Sequence, residues 1–101
     1  MNGILDAFKL DGKVAVVTGA TRGLGRGMAV ALAQAGADIA GVGHAAEAPK
    51  TAQAVAASGR RYAHIQADLA KLDVIPRIID TALEHFGRID ILVNNAGIIK
   101  R

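Results

Sequence analysis

The stretch VVTGATRGLGRGMAVALAQAGA, residues 16–37, places four glycines, Gly19, Gly23, Gly25 and Gly27, within nine residues, where an apolar run gives way to an alanine-rich one. Glycine inside a helix costs about 1 kcal/mol relative to alanine, so helix propensity does not explain the cluster. A strand that turns tightly into a helix does. Such a turn aims the free N–H groups of the first helical turn, and the positive end of the helix dipole, at whatever occupies it, which makes it an anion site. In that arrangement Gly19 lets the chain reverse, Gly23 lets an anion approach the backbone, and Gly25 lets helix and strand pack closely. Thr18 and Thr21 add hydroxyls, and Arg22 adds a cation. Gly27 has no part in anion binding and is read as a close helix contact.

Outward from this junction, strand and helix patterns alternate. Residues 13–18 form a continuous β-branched run, as expected of a strand buried on both faces of a parallel sheet. A helix follows over 23–35, stopped by Gly36, then a strand over 37–43 and a weak helix over 49–58 with Pro49 in its first turn and Gly59 at its end. Residues 61–66 alternate as a third strand. Val74, Ile75, Ile78, Ile79, Ala82, Leu83 and Phe86 then line one face of a helix that Asp73 is placed to cap and Gly87 to end. IDILVNNAG, residues 89–97, supplies a fourth strand and a polar turn. The order βαβαβαβ without hairpin signals predicts an α/β fold: a Rossmann-like, doubly wound parallel sheet with strand order 3-2-1-4. Residues 1–12 read as a lead-in in which Leu5 and Phe8 dock on the sheet edge.

Composition narrows the function. The 101 residues are 51% apolar and 21% charged, enough for one small core. No run reaches the roughly 18 apolar residues of a membrane span, and the N-terminus lacks the basic start and apolar stretch of a signal peptide, so a cytoplasmic protein is expected. The absence of cysteine excludes thiolate catalysis and cysteine zinc sites. The net charge of +3 is scattered along the chain and aromatics make up only 3%, which leaves little on which to stack bases and argues against nucleic-acid binding. His44, His64 and His85 lack a metal-ligand spacing.

The glycine spacing separates the known phosphate motifs. A P-loop would need glycine where Leu24 stands, and a GxGxxG fingerprint counted from Gly23 fails at Met28. Gly41, Gly43 and Ala46 satisfy GxGxx(G/A), but the short following segment with Pro49 offers no helix N-terminus where a phosphate would need it. TGATRGLG, residues 18–25, fits Thr-Gly-x-x-x-Gly-x-Gly. With Asp68 and Leu69 in ADLA and Asn94 to Gly97 in NNAG, each after a strand, the chain resembles the short-chain dehydrogenase/reductase family. Its longer stretches are similar to the branch that acts on sugar acids.

The resemblance implies reversible hydride transfer between a nicotinamide cofactor and a secondary alcohol of a sugar acid, in a homo-oligomer. It implies cofactor contacts from Gly19, Thr21, Arg22, Gly23, Leu24, Gly25, His44, Asp68, Leu69, Asn95, Ala96 and Gly97. The acidic residue that grips the adenosine ribose in NAD-dependent members falls at Gly43, yet the branch favours NAD, with NADP left open. The family's Ser and Tyr-x-x-x-Lys set is missing: Ser58 reads as a local cap, and Gln66 stands four residues after Tyr62. These residues therefore read as the cofactor-binding first half of a dehydrogenase domain, catalytically silent alone and with an apolar strand edge at DILVN. Without the resemblance, a non-catalytic nucleotide-binding or interaction module fits the same residues. Asp38 reads as a solvated strand end, Asp90 as structural, and Lys100 and Arg101 as a basic tail near the cleft.

Overall fold

The computed structural model describes residues 9–95. Leu5, Phe8, Ala96, Gly97, Lys100 and Arg101 lie outside them. Strands β1 (Val14–Thr18), β2 (Asp38–Gly43), β3 (Tyr62–Gln66) and β4 (Ile91–Asn94) alternate with helices α1 (Gly23–Gln34), α2 (Pro49–Ala57) and α3 (Ile75–Phe86). All strand pairings are parallel, in the order β3-β2-β1-β4, as the alternating pattern predicts.

Every residue of β1 and β2 is buried, because side chains of successive residues enter opposite layers. Ala15, Val17 and Ile39 pack with Ala29 and Ala33 of α1 and Val55 of α2 on one face. Val16, Ala40 and Val42 pack with Ile65 and with Ile78 and Ala82 of α3 on the other. Full burial of a valine or isoleucine contributes about 1.5–3 kcal/mol, so these two strands form the mechanical centre of the molecule. β4, at one end of the sheet, pairs with β1 and leaves Leu92 61% exposed. Among the described residues no helix is long and apolar enough to cross a membrane.

Two expectations about aspartates are corrected. Asp73 does not cap α3: it lies in a 3₁₀ turn, Leu72–Val74, that runs straight into the helix, and Val74, the residue before it, already has helical dihedrals. No extended residue is left from which a side chain could fold back over the first turn. The stripe on α3 packs through Ile78 and Ala82, which are buried, while Ile75 and Leu83 remain exposed. Asp38, read as a solvated strand end, is buried.

Parallel pairing of β2 and β3 brings the turn before β3 against the Asp38 carboxylate. It accepts hydrogen bonds from the Arg61 backbone at 2.9 Å, the Arg61 guanidinium at 2.8 and 3.1 Å, and Arg60 Nε at 3.2 Å. Burial alone would raise the Asp38 pKa, but the Arg61 and Arg60 hydrogen bonds and charge outweigh it and hold the group below its ordinary value. Arg61 also lies over the Phe86 ring, 4.9 Å from its centroid, tying α3 to this corner. Asp90 keeps the structural role expected of it, accepting the Val14 N–H at 2.9 Å and pairing with Arg88 at 2.7 Å.

Two α1 glycines behave in opposite ways. A Cβ on Gly25 would overlap the Gly19 carbonyl, as close packing requires, whereas Gly27 is exposed with nothing within 4 Å of such a Cβ. The reading of Gly27 as a close contact is therefore overturned. Gly27→Ala is expected to stabilise the chain by about 1 kcal/mol and Gly25→Ala to destabilise it by about 1–3 kcal/mol, measured as shifts of the urea midpoint.

Candidate functional site

The site forms at the carboxyl ends of β1, β2 and β4, where open α/β sheets place their ligands. Beyond Thr18 the chain swings over the end of β2, with the N–H groups of Gly19 and Ala20 donating to the Val42 carbonyl at 2.8 and 3.3 Å. The Ala20 carbonyl in turn accepts the buried Thr51 hydroxyl of α2 at 2.7 Å. Arg22 is extended and Gly23, at φ +60°, opens α1. No side chain caps this N-terminus and its first turn contains no acidic residue, so its leading amides and half positive charge carry no counter-charge from the helix itself.

Gly25 seats that turn. Its missing side chain lets α1 lie directly on the Gly19 carbonyl, and a Cβ there would also stand 2.8 Å from the Asn95 side-chain amide. Thr18 fastens the opposite wall. Its hydroxyl accepts the Asn95 N–H at 2.8 Å and lies 3.1 Å from Asn94 Oδ1 and 3.3 Å from the Val93 carbonyl, to which it donates. The Thr18 hydroxyl, read from sequence as part of the anion cradle, is thus spent on joining β1 to β4. Arg26 braces the loop from below: Nη2 donates to the Thr21 carbonyl at 2.7 Å, and Nε is buried without a partner among the described residues.

Thr51 and Arg26 escaped the sequence reading because nothing in local pattern tells a helical Thr or Arg that reaches a turn from one that faces solvent. On the far side of the cleft, Asp68 Oδ1 accepts the Ala70 N–H at 3.0 Å and Leu69 packs against the α3 layer. His44 is exposed at the end of β2, with its carbonyl held by Gln66 Nε2 at 3.1 Å. Gly19, Thr21, Arg22, Gly23, Leu24, Gly25 and Asn95 are brought around one turn, while Ala96 and Gly97 lie outside the described residues.

Gly41 and Gly43, the competing glycine pattern, have a packing explanation. A Cβ on Gly41 would strike the Tyr62 ring, and one on Gly43 would stand 2.9 Å from Thr21 Cγ2. Ser58 caps α2 locally, donating to the Ala54 carbonyl at 3.3 Å. Tyr62 is pushed up to about 12 by burial, the opposite of what a proton-transferring tyrosine needs at neutral pH.

The family profile described as short chain dehydrogenase matches residues 13–101. The chain belongs to the short chain dehydrogenase family. Among its relatives, the 2-dehydro-3-deoxy-D-gluconate 5-dehydrogenase of Escherichia coli strain K12 is 57% identical over 98 residues, a match covering 97% of this chain and 38% of that protein. This short chain dehydrogenase sequence thus spans well under half the length of the curated relatives it matches. A short-chain type dehydrogenase/reductase from Mycobacterium marinum superposes with a TM-score of 0.89 at 36% identity, covering 97% of this chain and 40% of that one. Carveol dehydrogenase from Mycobacterium avium, solved in complex with NAD, superposes with a TM-score of 0.81 at 35% identity over 89% of this chain and 37% of its own.

Within this family fold the Thr18 bridge generates a specific expectation. Thr18→Val removes the hydroxyl but keeps the shape, and leaves the Asn95 N–H without its acceptor. The chain should lose about 1–2 kcal/mol, and the Asn95 amide should exchange with solvent at least severalfold faster in hydrogen-exchange NMR. Unchanged exchange would show that the bridge does not hold β1 to β4.

Proposed function

We propose that these residues form the cofactor-holding half of an NAD(P)-dependent oxidoreductase, with NAD the favoured cofactor, that moves a hydride between its nicotinamide and a secondary alcohol of a sugar acid, in a cytoplasmic homo-oligomer. The observation that carries the reading is the uncapped, acid-free N-terminus of α1 seated by Gly25 on the end of β1. The donor set suits a pyrophosphate: successive backbone N–H groups around Gly23 to Gly25, the helix dipole, and exposed Arg22 as the residue immediately before them. NAD bound to the Mycobacterium avium neighbour supports the cofactor, and the activity named for the Escherichia coli relative supports a sugar acid as substrate.

In this reading Gly19, Thr21, Arg22, Gly23, Leu24 and Gly25 hold the phosphates. His44 faces the adenosine ribose, Asp68 and Leu69 flank the adenine, and Asn95, with Ala96 and Gly97, lines the cleft. The bound cofactor supplies the hydride acceptor. The chain's own residues bind and orient it: Thr18 keeps the two walls of the cleft in register, and Gly25 keeps the amides aimed. Proton transfer is not assigned to Ser58 or Tyr62, whose hydroxyls are engaged with Ala54 and His64.

Leu24, 69% exposed in the first turn of α1, allows a test in which stability and binding move in opposite directions. Leu24→Glu places a carboxylate at the positive helix end and should stabilise the fold by about 0.3–1 kcal/mol. The same charge should repel the pyrophosphate and weaken NAD binding by about tenfold or more, while Leu24→Gln changes affinity little. Calorimetric titration of the chain with NAD, and with NADP in parallel, measures this. An L24E affinity equal to that of the parent chain would remove the phosphates from this turn.

A further inference from the structure

We infer that His64 of β3 is a positioning residue for the adenosine side of the cleft, holding with Gln66 the loop that follows β2, residues 44–48. The inference rests on the dinucleotide reading above and adds a residue that neither the glycine motif nor the strand-end motifs contain. In the β2–β3 register Gly41 lies opposite His64 and Gly43 opposite Gln66. Because neither glycine has a side chain, this face of β2 stays low, with Tyr62 over Gly41 and Thr21 beside Gly43. Across it His64 Nε2 reaches the Ala45 carbonyl at 2.8 Å and Gln66 Nε2 reaches the His44 carbonyl at 3.1 Å.

The hydrogen bonds define which tautomer the neutral imidazole takes. A carbonyl only accepts, so Nε2 carries the proton donated to Ala45; in the neutral ring Nδ1 is then an acceptor and takes the Tyr62 hydroxyl at 2.9 Å. Tyr62 lies over the space left by Gly41 and its ring stacks near that of His64, with centroids 6.0 Å apart. A relay Tyr62–His64–Ala45 thus runs from the protein interior to the loop. The end of the loop and the relay also share an open pocket of about 220 Å³, lined by Glu47, Ala48, Pro49, Ala52, Tyr62 and His64.

The loop is next to the phosphate turn. Thr21 Cγ2 stands 2.9 Å from the point a Gly43 Cβ would occupy, so a group one sugar away from a phosphate at α1 falls beside residues 44–48. Gly43 supplies no carboxylate to grip that sugar. Holding the loop's backbone in one shape is then the available way to recognise it, and two consecutive carbonyls tied to alternate residues of one strand accomplish that.

The test compares the parent chain with His64→Phe, which keeps a planar ring but removes both hydrogen bonds, and with His64→Gln, which restores a donor toward Ala45. AMP probes the adenosine half and nicotinamide mononucleotide the other. His64→Phe should weaken AMP and NAD by the same factor, about three- to tenfold, the size of one hydrogen bond. It should leave nicotinamide mononucleotide unchanged and speed hydrogen exchange of the 44–48 amides. His64→Gln should recover most of the AMP affinity and the protection. Unaltered AMP affinity and loop exchange in folded His64→Phe would overturn the inference while leaving the dinucleotide reading intact. Failure of the parent chain to bind NAD would instead remove the reading on which it rests. Should His64→Phe not fold, Gln66→Leu carries the same test, and unaltered AMP affinity there would likewise count against the loop's anchoring.

Discussion

Where the backbone of Gly25 meets the carbonyl of Gly19 no side chain fits, and this contact determines the geometry of the whole carboxyl edge of the sheet. It brings the first turn of α1 down onto the end of β1, so that the helix's leading amides open over the sheet rather than beside it. The remaining bonds of the edge are built around that placement. The Val42 carbonyl accepts the amides of Gly19 and Ala20, the Thr51 hydroxyl donates to the Ala20 carbonyl, and Arg26 donates to the Thr21 carbonyl. Thr18 then fixes Asn95, whose side-chain amide is the other neighbour of Gly25. A backbone-to-backbone contact of this kind leaves no rotamer to adjust, which suits a site that must present several N–H groups at once.

The two ends of the sheet are electrostatically unlike. At the amino end the carboxylates are all engaged within the fold, buried Asp38 by Arg60 and Arg61, and Asp90 by Arg88 and the Val14 amide. At the carboxyl end the first turn of α1 has neither a capping side chain nor an acidic residue. Paired carboxylates at one end secure strand register. Unmatched positive potential at the other is what an anionic ligand requires.

Much of this was legible in the sequence, for physical reasons that differ from place to place. The continuous β-branched runs of β1 and β2 announce strands buried on both faces, and the glycines after α1, α2 and α3 end them where expected, with positive φ at Gly36, Gly59 and Gly87. The glycine spacing of residues 18–25 located the turn. Asp38 was misread because its burial comes from Arg60 and Arg61, more than twenty residues away, and pairing across strands is invisible to local pattern. Asp73 was misread because Pro76 and the preceding 3₁₀ turn set the start of α3 instead of a cap. Gly27 was misread because glycine in a helix signals either close contact or nothing, and only the neighbouring layer decides. Gly41 and Gly43 resembled a second phosphate motif; their packing, under Tyr62 and beside Thr21, emerges only once β3 is laid beside β2.

The central claim is that the amides at the start of α1 receive the phosphates of a dinucleotide. Following the ¹⁵N–¹H signals of the chain during a titration with NAD tests it most directly. The account predicts that Gly23, Leu24 and Gly25 show the largest shifts at the lowest ligand concentrations, with residues 44–48 following the same saturation curve. Saturable shifts elsewhere, with these three signals unmoved, would contradict it.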